Sequence, residues 1–142
     1  MENKIGKLVL GVFILFSSAC MSDSLSSKTI PLSIDEVSTQ RIGENLIRII
    51  RYNMEIEPKI IIERLTTPVL SVIESKTIDS ILLAGETLDF NKSQGVFIED
   101  FSIKNSIVNI KFEYFYPTDG SVIVNCNMLI ASNNFEPLQC QK

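Results

Sequence analysis

The chain has 142 residues, with 13 Lys and Arg against 17 Asp and Glu, a formal net charge of −4, and no histidine. That length suits one domain with a modest core, and the mild acidity gives no electrostatic reason to bind nucleic acid. Without histidine the commonest general base and the commonest zinc ligand are both missing, so neither a metal site nor a cofactor is expected.

Lys4 and Lys7 precede an uncharged apolar run, "LVLGVFILF" from Leu8 to Phe16. It is too short for a transmembrane helix, which needs ~20 apolar residues. The small residues Ser17, Ser18 and Ala19 follow, and then Cys20. A charged start, a short apolar core and small residues at the end match a secretory signal. With a cysteine directly after the small residues, "LFSSAC" resembles a bacterial lipoprotein signal, although that family usually has Leu where this chain has Ser17. The resemblance implies cleavage just before Cys20, whose thiol has by then received a diacylglycerol. Residues 1–19 would then be the signal peptide, and Cys20 the anchored N-terminus. Mature lipoprotein cysteines carry three acyl chains in many bacteria. One chain holds a protein only reversibly and stable anchoring takes two or more, so the body would stay on a membrane surface without spanning it. Met21 rather than Asp after the cysteine points, in a host with two membranes, to the outer one and a periplasmic face. The alternative is an ordinary secretory signal with a chance cysteine.

Removal of residues 1–19 takes away two lysines and one glutamate, leaving 11 basic against 16 acidic side chains. Such a body has no basic face for anionic lipid, so the acyl chains would supply its membrane contact. Residues 20–32 read as the lipidated cysteine and a tether, since "MSDSLSSKTIPL" holds four serines and a proline. Twelve residues reach ~40 Å when extended and average ~19 Å as a flexible coil.

Residues 33–142 read as a single α+β domain. "SIDEVSTQRIGENLIRIIRY", Ser33 to Tyr52, is expected to be an amphipathic helix. Ser33 and Glu36 have capping-box spacing, and Ile42, Leu46, Ile49 and Ile50 recur at helical intervals. From Glu57 to Gly85 the expectation is mostly helical, with Pro58 and Pro68 each able to open a short helix and Gly85 able to close one. "KIII" and "VLSVI" are good strand material as well.

From Gly95 the period becomes two. Val96 to Ile103 reads as a strand, and "SIVNIKFEYFY" puts Val108, Ile110, Phe112, Tyr114 and Tyr116 on one face. "PTDG" at Pro117 to Gly120 marks a hairpin turn. "SVIVNCNMLI" then puts Val122, Val124, Cys126, Met128 and Ile130 on one face. Asn133 and Asn134 turn the chain toward a last strand, Phe135 to Gln141. The expected architecture is therefore the N-terminal helix packed on an antiparallel β-meander of about four strands.

Three cysteines are an odd count. If Cys20 is acylated, Cys126 and Cys140 remain. Exported compartments favour oxidation, and the two lie symmetrically about Asn133, so a disulfide is expected between them; two buried free thiols are the alternative.

No catalytic set emerges. Ser75 and Lys76 are neighbours whose side chains should point apart, and the same holds for Glu99 and Asp100. All four read as solvated surface. Tyr114, Phe115 and Tyr116 could line a ligand surface, although sheet core suits them better. No phosphate loop, nucleophile elbow or metal motif is found, and the chain is not expected to be an enzyme. The expected function is a lipid-anchored envelope protein that binds a protein partner, as an accessory or pilot-like assembly factor of a secretion, pilus or conjugation system. The alternative is a protective lipoprotein: toxin immunity, an inhibitor, or exclusion of an incoming phage or plasmid.

Overall fold

The computed structural model describes residues 31–142. The signal segment 1–19, Cys20 and all of the tether except Pro31 and Leu32 lie outside the described residues.

Among the described residues there is no α-helix, and the expected α+β architecture gives way to an all-β one. The stretch from Ser33 to Tyr52 is a hairpin of β1 (Ile34–Ile42) and β2 (Asn45–Tyr52). Ile42 pairs with Asn45, so Gly43 and Glu44 form the two-residue loop, with Gly43 at φ +59°. Glycine at the first loop position is what a II′ turn requires. The reason for the correction lies in β2. Ile47 and Ile49 are both buried, alternating as a strand demands, and Ile47 falls outside the supposed helical stripe. β-branched residues are dense here, and they favour the pleated surface. The residues of the capping box are used elsewhere. Ser33 Oγ donates to Glu57 Oε2 at 2.6 Å, and Glu36 pairs with Arg51 at 3.2 Å.

The segment expected to be mostly helical is likewise extended. It forms β3 (Ile60–Leu65), β4 (Val72–Ile78), β5 (Ser80–Leu83) and β6 (Glu86–Asp89), followed by one 3-10 turn at Phe90–Lys92. Ala84 and Gly85, both at positive φ, join β5 to β6, as a I′ turn needs. Gly85 therefore turns a hairpin and does not end a helix.

β7 (Gly95–Lys104), β8 (Ile107–Phe115), β9 (Ser121–Leu129) and β10 (Gln139–Gln141) follow. β1 to β4 form one antiparallel sheet in sequence order, and β7 to β10 form a second. β5 and β6 make a small hairpin between them in the chain, with β5 lying beside β10. One apolar core joins the sheets. Ile47, Ile49, Ile60 and Ile62 come from the first, Ile110, Phe112, Val124 and Met128 from the second, and Ile81, Leu88 and Phe90 close one side. Burying each such side chain contributes ~1.5–3 kcal/mol. Phe90 and Phe112 rings meet at 5.2 Å.

The topology gives the molecule two ends. Pro31, the Asn53–Lys59 loop and the Tyr116–Gly120 loop share one, named proximal because Pro31, the first described residue, lies there. At the distal end lie the Gly43–Glu44 turn, the β3–β4 loop, the Asn105–Ser106 turn and residues 131–134. A six-residue strand such as β3 separates the ends by ~20 Å.

Candidate docking surface

The β3–β4 loop, Thr66 to Ser71, is held by its own hydrogen bonds. Thr66 N donates to Ser71 O at 2.8 Å and Leu70 N donates to Thr66 O at 3.0 Å. Ser71 N donates to Thr66 Oγ1 at 3.0 Å, while that hydroxyl donates to Ser71 O at 3.3 Å. The Thr67–Pro68 peptide is cis, and Leu70 sits at φ +59°. A bulky non-glycine residue is uncommon in that region, and its presence is a local strain that such sites keep only when their surroundings impose it.

The loop and the start of β4 present aliphatic side chains to solvent. Val69 is 77% exposed, Leu70 53%, Val72 47% and Ile73 62%. Scattered exposed aliphatics are ordinary on a protein surface, and what sets these apart is how close together they fall in the chain. These four lie within five consecutive residues at the distal end.

Beneath them is the one buried charged side chain among the described residues, Arg64, only 4% exposed. Its Nη2 lies 3.1 Å from Glu74 Oε2 and donates to Ala131 O at 3.1 Å. Its Nη1 donates to Ser132 O and, at 3.4 Å, to Asn45 Oδ1. The Phe135 ring lies 5.3 Å from the guanidinium, and Phe135 N donates to Glu74 Oε1 at 3.0 Å. The contact with Oε2 is an ion pair without hydrogen-bond alignment, since Oε2 and Arg64 Nε each lack a hydrogen-bond partner. This cluster ties β3 and β4 to the turn after β9, so the loop above it stands on a cross-sheet brace.

A cleft of about 400 Å³ lies at the proximal end, lined by Met54, Ile56, Pro58, Phe90, Gln94 and Phe97. Near it Lys59 contacts the Glu57 carboxylate. Hydrogen bonds from Lys59 and then from Ser33 hold the Glu57 carboxyl below its ordinary range, and the same Glu57 contact raises Lys59. Both groups are solvent-facing partners in a surface ion pair, with no convergent acid and base in the cleft.

The residues singled out in the sequence are placed as follows. Cys126 and Cys140 face one another across β9 and β10 and are joined by a disulfide, with Cα atoms 4.1 Å apart. Ser75 pairs with Glu63 and Lys76 with the buried Ile62, so the two point to opposite faces of β4. Glu99 and Asp100 do not follow the strict alternation expected of them. The ladder shifts register between Ile98 and Asp100, and both carboxylates are exposed at the resulting bulge. Tyr114 is core, and its hydroxyl donates to Asp89 O at 3.2 Å. Burial, then the nearby Asp89 charge, raises its pKa. Phe115 stacks edge-on with Phe97 at 5.7 Å. No group of three or more Cys, Asp and Glu stands together as metal ligands among the described residues. None of their helices is long and apolar enough to cross a membrane.

The Val69–Ile73 group and Arg64 were missed from sequence. "TTPVLSVIE" does carry a signal, an apolar pair just after Thr-Pro, where a turn and not a core run is favoured. Arg64 inside "IIIERL" is the other, a long cation in an otherwise buried strand. No family model, curated protein or solved structure matches this chain.

Proposed function

We propose that this chain is a lipid-anchored envelope protein that docks a protein partner, as an accessory or pilot-like factor of a secretion, pilus or conjugation system. The anchor is Cys20, acylated on its thiol before the signal 1–19 is removed, and the body faces the periplasm from the outer membrane of a two-membrane host. The reading rests on the lipoprotein-like "LFSSAC" at one end of the sequence and on the exposed aliphatic loop at the opposite end of the fold. The observation that carries it is the direction of that loop. The chain reaches the first sheet at the proximal end, while Val69, Leu70, Val72 and Ile73 lie exposed at the distal end, the end opposite to the one the tether joins.

The test separates anchor from loop. Cys20→Ala should leave a longer precursor or a soluble form, while Leu70→Asp should leave the protein anchored and folded but functionally impaired. Normal mass and membrane retention of Cys20→Ala would refute the anchor. Full function of both Leu70→Asp and Ile73→Asp would refute docking through this loop. Deleting Asp23 to Lys28 should weaken function by shortening reach, with the fold unchanged.

A further inference from the structure

β1 is nine residues long, and Asp35 to Arg41 are exposed on both of its faces. Among the described residues it pairs only with β2, so its outer edge offers a free row of backbone donors and acceptors. Such edges are normally blunted by shortness, bulges or prolines. The edges of the second sheet are: β10 has three residues and β7 carries the bulge at Glu99. β4, at the far edge of the first sheet, is shorter than β1, with seven residues. β1 has one irregularity, near its start between Ile34 and Glu36.

The ladder fixes which residues face outward. Tyr52 N donates to Lys59 O on the β3 side, and Asn53 N donates to Ser33 O on the β1 side. Odd-numbered β2 residues therefore point their backbone groups at β1. Their partners Glu36, Ser38, Gln40 and Ile42 point back, which leaves Val37, Thr39 and Arg41 with outward N–H and C=O groups.

From this edge we infer that β1 pairs antiparallel with β1 of a second copy, about a two-fold axis through Ser38. Only registers that set outward groups against outward groups are allowed, so the axis passes through a residue and not between two, and the longest overlaps place it at Val37, Ser38 or Thr39. Through Val37, Arg41 passes beyond the end of the partner strand. Through Thr39, Asp35 does. Through Ser38 all nine residues pair, Val37 meets Thr39 of the other copy twice, and Asp35 of each strand lies opposite Arg41 of the other. Opposite charges face each other twice, where a parallel arrangement would set like against like. The contact is isologous and joins the two first sheets into one of eight strands. It leaves the distal loop free, because that loop follows β3 on the other side of the sheet. A single strand pair belongs to the small, transient class of interfaces, so the dimer forms reversibly.

The test uses the full-length chain in detergent with Ser38→Cys. In this register the two substituted positions form a non-hydrogen-bonded pair with Cα atoms ~4.5 Å apart, within disulfide reach. Mild oxidation should yield a covalent dimer. Wild type should yield none, and neither should Gln40→Cys, which lies opposite Glu36 of the other copy. Thr39→Pro removes an outward donor, not a β2 bond, and should abolish cross-linking of Ser38→Cys while the Cys126–Cys140 bond and unfolding midpoint persist. Arg41→Asp alone should weaken association about tenfold, since two attractive pairs become repulsive. Mixing it with Asp35→Arg should restore association as a heterodimer. Equal cross-linking of Ser38→Cys and Gln40→Cys, no cross-linking of Ser38→Cys, or no recovery in the mixture would overturn the inference. Capture of β1 by a strand of a different protein in place of its own copy would overturn it too.

Discussion

Glu74→Gln is the most direct perturbation of the cross-sheet brace. It keeps an acceptor for Phe135 N but removes the negative charge beside Arg64, a cation only 4% exposed. Breaking a fully buried ion pair costs ~3–5 kcal/mol, because the remaining charge is stranded. Here the Glu74 side chain is 30% exposed and Arg64 keeps the carbonyls of Ala131 and Ser132, so about 2 kcal/mol is expected, below that range because of solvent screening. For a domain near this size each kcal/mol moves the midpoint by ~4 °C, giving a fall of roughly 8 °C. Arg64→Ala should cost more, ~3–5 kcal/mol, since it also strands both carbonyls and the carboxylate. The double variant Arg64→Ala/Glu74→Gln should lose ~1–2 kcal/mol less than the sum of the single losses. Urea unfolding with amide exchange at residues 131–135 reads all three. Losses under about 0.5 kcal/mol for each single change, the range of ordinary surface substitutions, would refute the brace. Strict additivity in the double variant would also refute it.

Other consequences can be measured in the same way. Replacing Cys126 and Cys140 together by Ser opens a bridge of sequence separation 14 and should cost ~3 kcal/mol in the chain-entropy picture, read as a shifted urea midpoint; an unchanged midpoint would show that β10 is held by the ladder alone. Tyr114 has its pKa raised above the ordinary 10.0. Its contribution is fully present below the unfolded value and is lost as pH rises through the folded one, because the unfolded state releases the proton first. Stability should therefore fall at alkaline pH, and Tyr114→Phe should flatten that fall; parallel curves for the two proteins would contradict the assignment. Single alanine changes at Ser75, Lys76, Glu99 and Asp100 should each stay within about ±0.5 kcal/mol and leave function intact, whereas loss of function in a folded, anchored variant would put a catalytic site at that residue.

How much of this was legible in the sequence depends on local periodicity. In β8 and β9 every second residue is apolar and buried, so the faces of Val108 to Tyr114 and Val124 to Ile130, and the pairing of Cys126 with Cys140, could be read directly. The Ser33–Tyr52 stretch misled because Ile42, Leu46, Ile49 and Ile50 fit a helical stripe by spacing, while the burial of Ile47 is visible only once a second sheet covers β2. Gly43 in the middle and the β-branched density were the contrary signals. Between Glu57 and Gly85 the apolar runs are two to four residues long, too short for period to decide, and pairing with neighbouring strands decides it instead. The bulge at Glu99 leaves no mark in a single sequence. Nor does the outward turn of Val69 to Ile73, whose apolar character argues for burial until the loop's own hydrogen bonds set its direction.

Docking by the distal loop is tested most directly by placing a photo-reactive residue at Leu70 or Ile73 in the anchored protein and irradiating intact envelopes. A control position at Ile56, beside the proximal cleft and 70% exposed, reports contact on the membrane side. One discrete protein adduct should form from Leu70 and Ile73 and be absent from Ile56. Adduct formation from Ile56 alone, or lipid adducts from Leu70, would mean that the aliphatic loop faces the membrane or nothing at all, and the docking function would fall with it.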